Sequence, residues 1–298
     1  MSLRAEPPCE QTNAWEEEIE RRIVGRSAAL QRVRQRAVAL RSLRLPVLLR
    51  GEAGTGRRHV ARTLHDLGGS GRELALVSPG APPARAPETR RAYFLEEVGR
   101  FAPEEQARWS ELARRIEQGR EDVPLRIFAA SSLDLAQLAR AGDFDPEFAA
   151  RLQRFTLDLP PLRERPEDVP DLARALADRA ADRIGRRRVA VSAPALRQLA
   201  TQTWPGNVRE LASVIERLVA FCAGDRVSRA EVVAVLEESP LGVVSSRRSR
   251  HRRQRKELIA LIDEAGGNLA EVARRLQMSR GGVIYRAQKF GLLPKRAS

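Results

Sequence analysis

The sequence predicts an α/β domain with a parallel sheet, then an all-helical domain, then a C-terminal helix-turn-helix. Three observations carry that prediction. Across about 140 residues, short apolar runs alternate with amphipathic stretches, the pattern of strands joined by helical crossovers. After PPLRERPEDVP (160–170) the strand signals cease, and apolar residues recur three or four apart. The last segment, KELIALIDEAGGNLAEVARRLQMSRGGVIYRAQKFGLL, reads helix, Gly-Gly turn, helix, short turn, helix.

Residues 1–19 read as a polar lead, and 20–166 as the α/β domain. A helical pattern starts near Arg22, and the apolar run LPVLL (45–49) is the first strand. The turn GEAGTG (51–56) leads into a helix from about Arg57 to Leu67. ELALV (73–77) is a second strand, followed by PGAPPARAPETR, whose prolines exclude regular structure. AYFLEEV (92–98), an amphipathic helix around 103–118, LRIFAAS (125–131), a helical stretch and RFTLDL (154–159) complete the alternation. In such a sheet a ligand is expected at the carboxyl ends of the strands. Residues 167–238 read as a helical domain, 239–256 as a basic linker and 257–298 as the helix-turn-helix.

Composition narrows the classes. With 42% hydrophobic and 31% charged residues the chain reads as globular, and no stretch has the length and apolarity of a membrane span. The N-terminus lacks the basic-then-apolar order of a signal peptide, so a cytoplasmic protein without a membrane partner is expected. Cys9 and Cys222 lie far apart, and with three histidines they give no metal-site spacing. Of the net charge of +14, residues 245–298 carry +10, from 14 basic against 4 acidic residues. A polyanion is the natural partner of that segment. All three lysines, Lys256, Lys289 and Lys295, also lie there, so the chain strongly prefers arginine elsewhere.

Within the C-terminal segment Asn268 is placed to cap a helix Leu269–Leu276, and Ser279 the next one. Leu269, Val272, Ala273 and Leu276 with Val283, Ala287 and Phe290 supply the apolar faces that lock two short helices together. A second helix of this kind enters the major groove of double-stranded DNA. Gly281 and Gly282 open it; Arg280, Tyr285, Arg286 and Lys289 would face DNA, with Arg280 the candidate for a guanine and Arg286 and Lys289 for phosphates. An ordinary surface hairpin is the competing reading.

That segment resembles the Fis-type DNA-binding domain ending the NtrC class of bacterial enhancer-binding proteins. WPGNVREL (204–211), LPPLRERPEDVPDLA (159–173), IVGRSAALQRV (23–33) and GEAGTG resemble the AAA+ domain of the same family, in order and spacing. The resemblance implies an AAA+ P-loop domain, an all-α lid, ATP and Mg2+ as cofactors, and at least a homodimer. It also implies RNA polymerase or a sigma factor as a further partner. Ile23 and Val24 would flank adenine. Gly51, Glu52, Ala53, Gly54, Thr55 and Gly56, then Arg57 and Arg58, would wrap the phosphates at a helix N-terminus. Glu96 falls at the Walker B Asp that holds Mg2+, Glu97 at the residue that orients the attacking water, and Arg209 at the lid's sensor arginine. Arg151 falls at one of two arginines that a neighbouring subunit offers to the γ-phosphate.

Several positions depart from the family. Arg57 stands where it has Lys, and its planar fork is longer and bulkier than an ammonium. Arg58 stands where other P-loops put a hydroxyl on Mg2+, though this family commonly has Glu. Glu96 is one methylene longer than Asp, Asp145 replaces the first trans arginine, Ser78 takes the switch Asn position, and Ala130-Ser131-Ser132 that of the sensor. The GAFTGA string through which the family touches sigma-54 is absent from the sequence, and PGAPPARAPETRRA is far too short to replace its loop. Fewer than twenty residues precede the AAA+ start, so a receiver domain is not expected. The expectation is a DNA-binding regulator with an AAA+ portion that can hold ATP but hydrolyses it poorly and does not engage sigma-54 in the usual way. The alternative is an active ATPase with an atypical site that remodels another target.

Overall fold

The computed structural model describes residues 9–40, 43–68, 73–81, 92–119, 126–238 and, of the C-terminal segment, 258–259, 261–262, 264–265, 268–276, 283 and 287. Five apolar runs become strands: β1 (Val47–Arg50), β2 (Leu74–Val77), β3 (Ala92–Leu95), β4 (Arg126–Ser131) and β5 (Thr156–Asp158). They form one parallel sheet in the order β2-β3-β4-β1-β5.

Alternation along the strands divides the core. Val47, Leu49, Phe94, Phe128 and Ala130 pack on one face with α2 (Ala28–Leu40) and α3 (Arg57–Leu67). Leu48, Tyr93, Leu95, Ile127 and Ala129 pack on the other with α4 (Pro103–Glu117), α5 (Leu135–Ala141) and α6 (Pro146–Gln153). Successive side chains point to opposite faces, so strands covered on both sides read as continuous apolar runs. Arg126, buried at the start of β4, donates to the carbonyls of Leu64 (3.0 Å) and Leu40 (2.5 Å) and lies 4.5 Å from the Phe128 ring centre. Burial pushes its guanidinium down to about 10.

At the N-terminus the structure corrects the sequence reading. Of the segment read as a polar lead, residues 9–19 belong to a helix, α1 (Cys9–Arg22). Trp15, Ile19 and Ile23 recur every four residues, and Ile19 is completely buried in the core shared with α2 and α3. The neighbouring glutamates hide that stripe in a composition reading, but they occupy other faces of the helix.

The helical domain comprises α7 (Val169–Arg183), α8 (Ala193–Ala200), α9 (Asn207–Phe221) and α10 (Arg229–Glu238). A two-stranded parallel pair, β6 (Ala190–Val191) with β7 (Arg226–Val227), joins them. Ala173, Ala177 and Ala180 give α7 a small-residue face that packs with Leu211, Ile215 and Leu218 of α9. Residues 1–238 form one compact unit and 239–298 a second. In the second, the helix Leu269–Arg275 starts after Asn268, whose Oδ1 accepts from the Glu271 amide at 3.4 Å, as the capping argument expects. Leu258, Val272, Ala273, Val283 and Ala287 are buried together.

Replacing Ile19 by Ala is expected to cost about 2–4 kcal/mol of unfolding free energy, measured by urea denaturation. A change within about 0.5 kcal/mol would mean that α1 does not dock.

Candidate functional site

The carboxyl ends of β1, β3 and β4, which are neighbours in the sheet, bring three segments together: the loop 51–56, Glu96-Glu97 and Ser132. The loop runs into α3, whose first turn-closing bond is Val60 N–H to the Gly56 carbonyl at 3.0 Å. The amides of Gly56, Arg57, Arg58 and His59 therefore open the helix without a carbonyl one turn earlier, the arrangement that suits an anion. Gly56 takes φ 105°, a left-handed conformation that a side chain would resist.

Two cavities meet at Gly56, His59 and Val208. One, about 210 Å³, has largely apolar walls that include Ile23, Val24, Val60, Leu159, Leu172 and Leu176. The other, about 230 Å³, is lined by Gly54, Arg57, Arg58, Glu96 and Arg209 among others. An apolar chamber beside a cationic one matches the two ends of a nucleotide. Gly51 instead borders a separate cleft with Arg36 and Arg50. Arg151 lines neither of the two cavities; it is ion-paired with Glu117 of α4. Asp145 caps α6, its carboxylate accepting from the Phe148 amide within 2.5 Å. Arg280, Gly281, Gly282, Tyr285, Arg286 and Lys289 lie outside the described residues.

The Walker-type positions are tied to one another. Arg57, 7% exposed, forms an ion pair through Nη2 with Glu97 Oε1. The other Glu97 oxygen accepts from Ser132 N (3.0 Å) and Ser132 Oγ (2.7 Å). Burial alone would raise the Glu97 carboxyl, but these bonds from Arg57 and Ser132 outweigh it and hold the group below the usual carboxylate value. Glu97 also sits at φ 49°, a left-handed conformation uncommon for a non-glycine residue. Glu96 turns toward Ser78, whose hydroxyl lies 3.4 Å from its Oε2.

Beneath the cavities is a set of contacts that sequence reasoning missed. Asp168, fully buried, accepts from Arg26 N (2.6 Å), Ser27 N (2.7 Å) and Ser27 Oγ (2.7 Å). Arg165, 3.9 Å from Asp168, donates to the Thr55 carbonyl at 3.1 Å. Burial pushes the Arg165 guanidinium down while Asp168 opposes the shift. A Cβ on Gly25 would meet the Asp168 carboxyl carbon at 2.6 Å, so the loop beside Ile23 and Val24 closes on this carboxylate. Arg34 donates to the Ile23 carbonyl from Nε (2.9 Å) and Nη2 (2.7 Å).

The helical domain clasps the loop directly. Asn207, buried at φ 54°, donates to Glu52 Oε2 (3.2 Å) and the Ala53 carbonyl (3.0 Å), and accepts from Leu162 N (2.7 Å). Arg163 grips Glu52 with two bonds of 2.8 and 2.6 Å. Arg209 N donates to the Gly54 carbonyl at 3.3 Å. A Cβ on Gly54 would collide with the Gly206 carbonyl, which is why that loop position takes glycine.

Asp168→Ala leaves three donors without their acceptor and Arg165 without its counter-charge. It is expected to cost about 3–5 kcal/mol in denaturant titration; a loss below about 1 kcal/mol would mean that the carboxylate holds nothing. The lowered Glu97 value means that its stabilisation is fully present above the unfolded value, about 4.3, and is lost as pH falls through the folded one. The stability difference between wild type and Glu97→Gln should therefore shrink on acidification through that window. A difference that stays constant with pH would contradict the ion pair.

Three family descriptions match consecutive parts of the chain: a sigma-54 interaction domain over 24–162, an AAA+ ATPase lid domain over 163–246, and the Fis family of bacterial regulatory proteins over 250–290. The formate hydrogenlyase transcriptional activator of Salmonella typhimurium is 30% identical over 91% of this chain and 44% of its own length, so this chain spans less than half of that relative. The transcriptional regulatory protein ZraR of Klebsiella oxytoca is 30% identical over 90% of this chain and 68% of its own length. Among solved structures, NtrX from Brucella abortus in complex with ADP shares the fold, with a TM-score of 0.63 at 22% identity, covering 95% of this chain and 72% of that one. With all three modules matched in order, and with a 30% identical relative of which it spans two thirds, this chain belongs to the NtrC class of sigma-54-type transcriptional regulators.

Proposed function

We propose that this protein is a sequence-specific DNA-binding transcriptional regulator, acting as at least a dimer, whose AAA+ portion holds a nucleotide without hydrolysing it at rates typical of the family. The observation that carries the reading is the commitment of Glu97 to Arg57 and Ser132. Phosphoryl transfer to water is catalysed by positioning and electrostatics, and a carboxylate already paired with a guanidinium is a poor partner for the attacking water. Three features extend the reading: Glu96 in place of Asp, Asp145 used as a helix cap, and no GAFTGA string for sigma-54. Nucleotide binding is supported by the paired apolar and cationic cavities and by the ADP complex of the structurally similar NtrX. The charge of the C-terminal segment and the helix capped by Asn268 support DNA binding, with Arg280, Tyr285, Arg286 and Lys289 as its contacts.

A second reading, an active ATPase that remodels another target, draws on Glu96, the carboxylate lining the cationic cavity. It requires turnover that Glu97→Gln abolishes while ATP stays bound.

The purified chain is expected to protect a two-fold DNA site in a footprint and to release phosphate from ATP at least about 100-fold more slowly than an intact member of the family. Turnover at family rates, or opening of a sigma-54 promoter complex in a purified system, would sink the reading.

A further inference from the structure

The family's Mg2+ does not fit the donors that line this site. Magnesium takes oxygen ligands in strict octahedral geometry and keeps several of its waters. Glu96 is the one carboxylate lining the cationic cavity among the described residues, and it leans toward the Ser78 hydroxyl. Glu97 is spent on Arg57 and Ser132. The position after Arg57 brings a guanidinium, Arg58, in place of an oxygen donor.

Positive charge is supplied instead by the protein. Arg57, Arg58 and Arg209 line the cavity with Glu96, and with Glu97 paired to Arg57 the three guanidinium groups still exceed the two carboxylates. Arg57 Nη1 is buried and has no hydrogen-bond acceptor among the described residues, although Nη2 of the same group is paired. An orphaned guanidinium nitrogen in a buried position carries a desolvation cost that an anionic oxygen would offset. The loop amides at the start of α3 add further donors for the same oxygens.

We infer that this chain grips the phosphate chain of a nucleoside diphosphate or triphosphate without a metal ion, the guanidinium groups of Arg57, Arg58 and Arg209 standing in for Mg2+. The inference rests on the nucleotide reading above and deepens it, since it names what neutralises the phosphates. Chelation by Mg2+ removes charge from the phosphate chain, so the metal weakens binding here or leaves it unchanged.

Isothermal titration of the full chain with ADP and with ATP, in EDTA and in excess Mg2+, separates the possibilities. The expected result is binding in EDTA, with an affinity that Mg2+ changes less than about 3-fold or lowers. Arg57→Ala should weaken binding in EDTA by about 10- to 100-fold, the loss of a charge-assisted hydrogen bond. Arg209 is exposed, so Arg209→Ala keeps the fold and should weaken binding several-fold by the same probe. Binding that Mg2+ tightens by more than about 3-fold overturns the inference alone. Unchanged affinity in EDTA for both variants also overturns it. Absence of binding in either buffer overturns the nucleotide reading and the inference together.

Discussion

The buried carboxylate of Asp168 is the constraint on which the site depends. An ionised group removed from water must be fully paired, and three hydrogen bonds from Arg26 and Ser27 together with the nearby Arg165 meet that requirement. Through these bonds the segment that enters α7 fixes the loop beside the apolar chamber. Through Arg165 and the Thr55 carbonyl it also fixes the glycine-rich loop. The helical domain is thereby held against the α/β domain at the point where both border the cavities. Asn207 and Arg163 add a second clasp on Glu52, and the hydrogen bond from Arg163 holds that carboxyl below its ordinary value.

On this scaffold the exchange of lysine for arginine has a specific consequence. An ammonium is a compact charge on a flexible stem, whereas a guanidinium presents a planar fork that can hold two partners at once. Arg57 spends one side of that fork on Glu97 and leaves the other buried with no partner among the described residues. In the proposed function the same residue occupies the carboxylate at the water-orienting position and offers a donor to an anion. The proposed retention of nucleotide and slow turnover both rest on this one side chain. Glu96 and Asp145 point the same way, the first bonded to Ser78 and the second engaged in capping α6.

Much of the frame was legible in the sequence because its signals are local. The helix from Arg57 to Leu67 and the strands around LPVLL and LRIFAAS follow from glycine placement and unbroken apolar runs. The Asn268 cap follows from one side chain and the amide three residues on. The α1 helix was hidden because acidic residues dilute the stripe of Trp15, Ile19 and Ile23, although the four-residue spacing was there to be read. Asp145 stands at the position of the first trans arginine, and its capping of α6 was also legible, since Asp followed by Pro is an ordinary start for a helix. The Asp168 contacts and the Arg57–Glu97 pair left no local trace. Asp168 and Ser27 are 141 residues apart and Arg57 and Glu97 40 apart, so only the fold makes them neighbours.

In the resting protein Arg57 and Glu97 are bound to each other. A double-mutant cycle with Arg57→Met, Glu97→Gln and the double variant, read by urea unfolding at neutral pH, tests it most directly. A pair this buried should give a coupling energy of at least about 1.5 kcal/mol, with the double variant more stable than the sum of the single losses implies. Additivity within about 0.5 kcal/mol would show that the two side chains act independently and that Glu97 is free to serve a nucleotide.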